Sequence, residues 1–99
     1  MPVSSSGQTF VTIERDFVLK NQYGLHARPA AMFVKIASKH DAEVIVEKDG
    51  NRVSGKSILG LMTLEASLGS KLHITASGAD AEKALAELED LIQRKFDED

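Results

Sequence analysis

Cysteine and tryptophan are both absent from this 99-residue sequence. Without cysteine there can be no disulfide staples, no thiolate metal ligands and no thiol nucleophile. Aromatic residues make up only 5% of the chain. No dense basic cluster accompanies them, which argues against a nucleic-acid surface built from stacking platforms and phosphate contacts. No apolar run approaches the roughly 18–20 residues that a membrane-spanning helix needs. The first residues have neither a basic start nor an apolar stretch, so they do not read as a secretory signal. Three isolated histidines without paired spacing do not make a metal site. The expectation is a small, soluble, cytoplasmic domain without metal, cofactor, membrane insertion or nucleic-acid partner.

What is present is ordinary for a globular protein: 42% hydrophobic and 27% charged residues. Ninety-nine residues suit one domain with one modest core. The net charge of −3 hides a separation, because residues 80–99 carry eight acids against three bases. The rest of the chain is slightly positive.

The opening stretch is uncharged and mostly small, and reads as a disordered tail over residues 1–10 ahead of a domain at 11–99. From Phe10 to Lys20 apolar residues alternate through Val11, Ile13, Phe17 and Leu19, the mark of a strand with one buried face. The period then changes. Ala30, Phe33, Val34 and Ala37 fall on one stripe of a helix, with Pro29 in the first turn, where a missing N–H costs nothing. Ala42–Lys48 reads as a strand, Asp49-Gly50 as a hairpin turn and Asn51–Ser54 as its short return. Ser57–Leu64 is a short apolar helix, and Lys71–Ala76 alternates again. Asp80 is placed to cap a last helix whose Ala81, Ala84, Leu85, Leu88, Leu91 and Ile92 form one stripe. The order β-α-β-β-α-β-α predicts an α+β open-faced sandwich: a four-stranded antiparallel sheet with three helices on one face.

Gly50–Ser57 matches the phosphate-loop pattern G-x-x-x-x-G-K-S. Too few residues follow it for the parallel sheet that seats such a loop, and Asp49-Gly50 already serves a hairpin. The match is a coincidence of spelling. Gly24-Leu25-His26-Ala27-Arg28-Pro29-Ala30 is more informative. His26 stands where loop becomes helix, and the leading N–H groups of Ala27 and Arg28 with the helix dipole form a phosphate nest. A neutral ring nitrogen there could attack phosphorus, and Arg28 could stabilise a phosphoryl oxygen. The residues alone favour the plainer reading, a histidine N-cap beside a solvent-facing arginine. Ser57 reads as a helix N-cap whose phosphorylation would place the new charge at a helix N-terminus. His40 ends the first long helix, and His73 alternates out of phase with Leu72 and Ile74, which puts it toward solvent.

These two segments carry a resemblance. Gly24–Ala30 looks like the active-site signature of the HPr family, the histidine phosphocarriers of the bacterial phosphotransferase system. Lys56-Ser57-Ile58-Leu59-Gly60-Leu61-Met62 resembles that family's second signature, around its regulatory serine. The interval between them fits, and the likeness spans about residues 11–96. It implies that His26 is phosphorylated at Nδ1 by phospho-enzyme I and passes the group to enzyme IIA domains, in a relay where this chain is a carrier rather than an independent catalyst. It implies that Arg28 attends the phosphohistidine and that Ser57 is the target of an HPr kinase/phosphorylase. It also implies a monomer with a docking face of Ala27, Ala31, Lys56, Ile58, Leu59, Met62 and Thr63. The acidic end Phe96-Asp97-Glu98-Asp99 resembles the nitrogen-related branch, whose members regulate target proteins by their phosphorylation state. The stretch after Ser57 resembles sugar carriers under serine-kinase control, so both branches remain open at this point.

Overall fold

The computed structural model describes residues 11–98, so the disordered tail expected over 1–10 lies outside the described residues. The elements are β1 (Val11–Val18), α1 (Ala27–Ser38), β2 (Glu43–Lys48), β3 (Asn51–Ser54), α2 (Ile58–Thr63), β4 (Lys71–Gly78) and α3 (Ala81–Gln93). A short left-handed turn at Lys95–Asp97 follows α3. One four-stranded sheet runs in the order β1-β4-β2-β3, with every pairing antiparallel. The predicted open-faced α+β sandwich is the observed fold.

Alternation decides which face of the sheet is covered. Leu72, Ile74 and Ala76 of β4, with Val44 and Val46 of β2, point to one side and are buried. Phe33 and Ala37 of α1, Leu61 of α2, and Leu85, Leu88 and Leu91 of α3 close over them. Each large aliphatic side chain so removed from water contributes about 1.5–3 kcal/mol before chain entropy is set against it. The opposite face carries Thr12, Glu14, Asp16, His73, Thr75 and Glu47, as the register dictates.

Two expectations shift. β1 ends at Val18 rather than Lys20. Leu19 is still fully buried, because its N–H and carbonyl bond Ser70 and Gly69 outside the ladder. Asp80 occupies the N-cap position of α3 but makes no side-chain cap bond. Its Oδ2 instead accepts from the Asp41 N–H at 2.8 Å, joining the start of α3 to the loop after α1. The phosphate-loop spelling is also resolved: Gly50 lies in the β2–β3 hairpin, and Asn51–Ser54 pairs antiparallel to β2, so Gly50–Ser57 forms no phosphate-binding loop.

Candidate functional site

Gly24 sets the entry to α1. It has φ +65°, and a Cβ there would lie 2.2 Å from the Ala66 carbonyl oxygen, so only glycine lets the loop pass so close to the chain after α2. Leu25 then donates to that same Ala66 oxygen at 2.9 Å and buries its side chain. His26 follows as the N-cap of α1, in extended backbone and with an exposed side chain.

The first helical bond of α1 runs from the Ala30 N–H to the His26 carbonyl at 2.9 Å. Pro29 has no N–H to satisfy. The amides of Ala27 and Arg28 therefore precede the helical ladder, and no side chain caps them. The first turn of α1 also contains no acid that would neutralise its positive end. His26 and Arg28 open onto one shallow cleft of about 480 Å³ with Tyr23, Pro29, Phe96, Asp97 and Glu98. The Tyr23 ring meets the imidazole edge-on, with centroids 5.5 Å apart. The fold thus brings His26 and Arg28, the two residues singled out at the start of α1, to one cleft. It adds two groups of residues that sequence reasoning did not assign to the cleft. Tyr23, three residues before His26, was within reach of that reading; the 96–98 turn arrives from the far end of the chain.

Ser57 is the N-cap of α2, and its Oγ accepts from the Gly60 N–H at 2.9 Å. Gly60 sits tightly against it: a Cβ there would come within 3.1 Å of Oγ. Ile58, Leu59 and Met62 are exposed large apolar side chains, Leu59 at 77%, and Ala27, Ala31 and Thr63 are exposed beside them.

Lys56 is not brought to Arg28. Its Nζ reaches the His40 carbonyl at 3.4 Å, just beyond the C-terminal end of α1. The Ala66–Leu25 bond ties the segment after α2 to the opposite end. α2 therefore runs antiparallel to α1, a helix of 12 residues and so about 18 Å long. Lys56 and Ser57 lie toward the end of α1 remote from His26, while Met62 and Thr63 lie toward the His26 end. The sequence pattern held no signal for that direction.

The other histidines are engaged. His40 Nε2 lies 2.5 Å from Glu87 Oε1 on α3. Lys39 first, and His40 second, hold the Glu87 carboxyl below the ordinary glutamate range. His73, expected simply to face solvent, is bracketed on the open sheet face: Nδ1 lies 2.7 Å from Asp16 and Nε2 2.7 Å from Glu14. No group of three or more His, Cys, Asp or Glu side chains is arranged to hold a metal ion among the described residues. No helix among them is long and apolar enough to cross a membrane.

The comparisons with known proteins agree on one family. The model of a family described as the phosphotransferase-system HPr component phosphorylation site matches residues 13–94. The chain is 47% identical over 81 residues to the phosphocarrier protein HPr of Borreliella burgdorferi, covering 82% of this chain and 94% of that one. Among solved structures, an HPr from Thermoanaerobacter tengcongensis superposes with a TM-score of 0.85 at 47% identity, over 88% of this chain and 98% of that one. A structure described as an HPr dimer from the same organism superposes at 0.71 with 49% identity, over 83% and 94% of the two chains. With its fold, its helix-capping histidine and these relatives in agreement, the chain belongs to the HPr family of phosphotransferase-system phosphocarriers.

Proposed function

We propose that His26 is the phosphoacceptor of this carrier, taking a phosphoryl group at Nδ1 from phospho-enzyme I and handing it to enzyme IIA domains in sugar uptake. The observation that carries this reading is an exposed imidazole at the start of a helix whose leading amides have no side-chain cap. Transfer uses the lone pair of the neutral His26 ring. As the new N–P bond forms, the donor's N–P bond breaks and its electron pair returns to the donor imidazole. Charge spread over the equatorial oxygens is met by the Ala27 and Arg28 amides and the Arg28 guanidinium. No cofactor enters this step. The protein acts as a carrier, and a monomer suffices because His26, Arg28 and the apolar patch all come from one chain.

Ile58, Leu59, Met62, Thr63, Ala27 and Ala31 form the partner-binding face in this reading. An exposed apolar patch with a methionine suits a surface that must accept several partners. Ser57, at the far end of that patch, is the regulatory site for an HPr kinase/phosphorylase. Its phosphorylation would act on docking rather than on the His26 chemistry, because α2 carries it away from the cleft. Lys56, facing His40, belongs with that end and not with the phosphate nest.

The test is labelling with phosphoenolpyruvate and enzyme I. Label that is acid-labile and base-stable, and absent from His26→Ala, is the expected result. Label that survives acid would move the acceptor away from histidine. The acidic Asp97 and Glu98 at the cleft favour a second reading, a nitrogen-branch paralogue that controls targets by its phosphorylation state. Preferential charging by a nitrogen-branch enzyme I over a sugar-branch one would select it.

A further inference from the structure

Asn21 is the one polar residue fully buried among the described residues. Its Nδ2 donates twice, to the Gly24 carbonyl at 2.9 Å and to Glu98 Oε2 at 2.8 Å. Both partners are oxygens, so the amide has one workable orientation; turned over, Oδ1 would face two acceptors. The Gly24 carbonyl belongs to the peptide that leads into Leu25, whose N–H is bonded to Ala66. The backbone ahead of His26 is therefore held twice, by Ala66 and by Asn21.

Glu98 reaches Asn21 only through a costly turn. Lys95, Phe96 and Asp97 all have φ between 54° and 58°, the left-handed region that side chains with a Cβ disfavour. Such a turn persists when its surroundings over-determine it. Here Phe96 is buried to 1% exposure and Arg94 Nε donates to Asp97 Oδ1 at 3.0 Å. Asn21 Oδ1 and Glu98 Oε1 are also buried without a protein partner, a further cost the fold carries to keep the two side chains together.

We infer that Asn21 and Glu98 are positioning residues for phosphoryl transfer. The Glu98 carboxylate orients the Asn21 amide, the amide fixes the Gly24 carbonyl, and that peptide sets how the His26 ring enters the cleft. This rests on His26 being the phosphoacceptor. Neither residue needs to touch the phosphoryl group, so the pair governs the geometry of attack and not donor binding.

The experiment compares Glu98→Ala, Asn21→Ala and Glu98→Gln in the full chain by two readouts. The first is amide hydrogen exchange at Leu25 against that of the β2–β4 core. The second is steady-state charging by phospho-enzyme I. Glu98→Ala and Asn21→Ala should each speed Leu25 exchange by about tenfold while leaving the sheet unchanged. They should also lower turnover by about tenfold, with KM for the donor held within about twofold. Glu98→Gln keeps an oxygen for the Asn21 donor and should recover most of both losses. Wild-type exchange and turnover in Glu98→Ala would overturn the inference, as would a loss confined to KM, a uniform loss of stability, or Glu98→Gln behaving like Glu98→Ala. If the wild-type chain accepts no phosphoryl group on histidine, the proposed function fails and positioning for transfer falls with it. The exchange arm would then still report whether the pair orders the loop, so the two failures are distinguishable.

Discussion

His26 and His73 are the same residue in opposite circumstances, and on the proposed function the contrast shows what a phosphoryl-accepting histidine requires. Both are reachable from solvent. His73 has a carboxylate 2.7 Å from each ring nitrogen. Both carboxylates accept only from N–H groups, so the bracket favours the imidazolium over a ring with a lone pair free to attack phosphorus, and its two anions repel a phosphate. Among the described residues the His26 ring makes no hydrogen bond or ion pair; its neighbour is the edge of Tyr23. It stands before two uncapped amides and lines one cleft with Arg28. One environment uses up the imidazole; the other keeps it available. His40 has only Nε2 engaged, by Glu87, and it is burial, with the side chain 11% exposed, that withholds its ring from a partner.

The sharpest way to break this comparison is to remove His26. His26→Ala should abolish charging by phospho-enzyme I, while the other two histidines take no label. Its side chain makes no cap bond, so thermal stability should change by about 1 kcal/mol or less. Residual acid-labile label on the folded variant would show that availability alone does not select the acceptor. Next in size is Arg28→Lys, which keeps the charge but loses the planar fork. Turnover should fall by about tenfold with little change in KM, because the contact matters most as charge redistributes in the transition state. Equal turnover with weaker docking would assign Arg28 to partner recognition.

Ser57→Asp probes the proposed docking surface. A carboxylate at the cap can still accept from the Gly60 N–H, so the melting temperature should stay near wild type. Charging by phospho-enzyme I should slow by a few fold, roughly in line with one added charge on an exposed docking face, and the effect should shrink at high salt. Because α2 carries Ser57 away from His26, the loss should appear mainly in KM. A loss in turnover instead would mean that Ser57 communicates with the cleft.

Local periodicity made the elements legible. The alternation of Leu72, Ile74 and Ala76 and the stripe Ala84, Leu85, Leu88 and Leu91 each bury the face the sequence implies. The start of α1 was equally readable, since a histidine at the N-cap position with Pro29 in the first turn is a feature of neighbours in the chain. What could not be read depends on pairing between distant residues. The bracketing of His73 follows from the β1–β4 register, which sets Asp16 opposite it. The direction of Lys56 follows from α2 running antiparallel to α1, and Glu98 meets Asn21 across 77 positions. Asp80 was misassigned for the same reason, because the loop N–H of Asp41 competes for its carboxylate and wins.

The smallest expected effect tests the other half of the comparison, that His73 serves the fold and not the chemistry. Its pKa is raised above the ordinary value of 6.5, first by the hydrogen bond to Asp16 and then by that to Glu14, against a smaller opposing effect of burial. A group whose folded-state pKa is raised contributes stability that is fully present below its unfolded value and is lost as pH rises through the folded value. The His73 contribution should therefore be complete below about pH 6.5 and disappear above the raised pKa. Glu47 and Arg52 share the same row of the open face. The His73 side chain is 36% exposed, so solvent screens the pair and the effect should amount to roughly 0.5 kcal/mol. His73→Gln keeps a polar side chain on the strand but cannot become charged. Its melting temperature should fall below wild type at pH 5.5–6 by about 2–3 °C and converge with it as pH rises above the raised pKa. Charging of His26 by phospho-enzyme I should match wild type throughout. A variant with an unchanged pH–stability profile would leave the two carboxylates without an energetic role. Slower charging would place the open sheet face in the transfer reaction, and the division between the two histidines would fail.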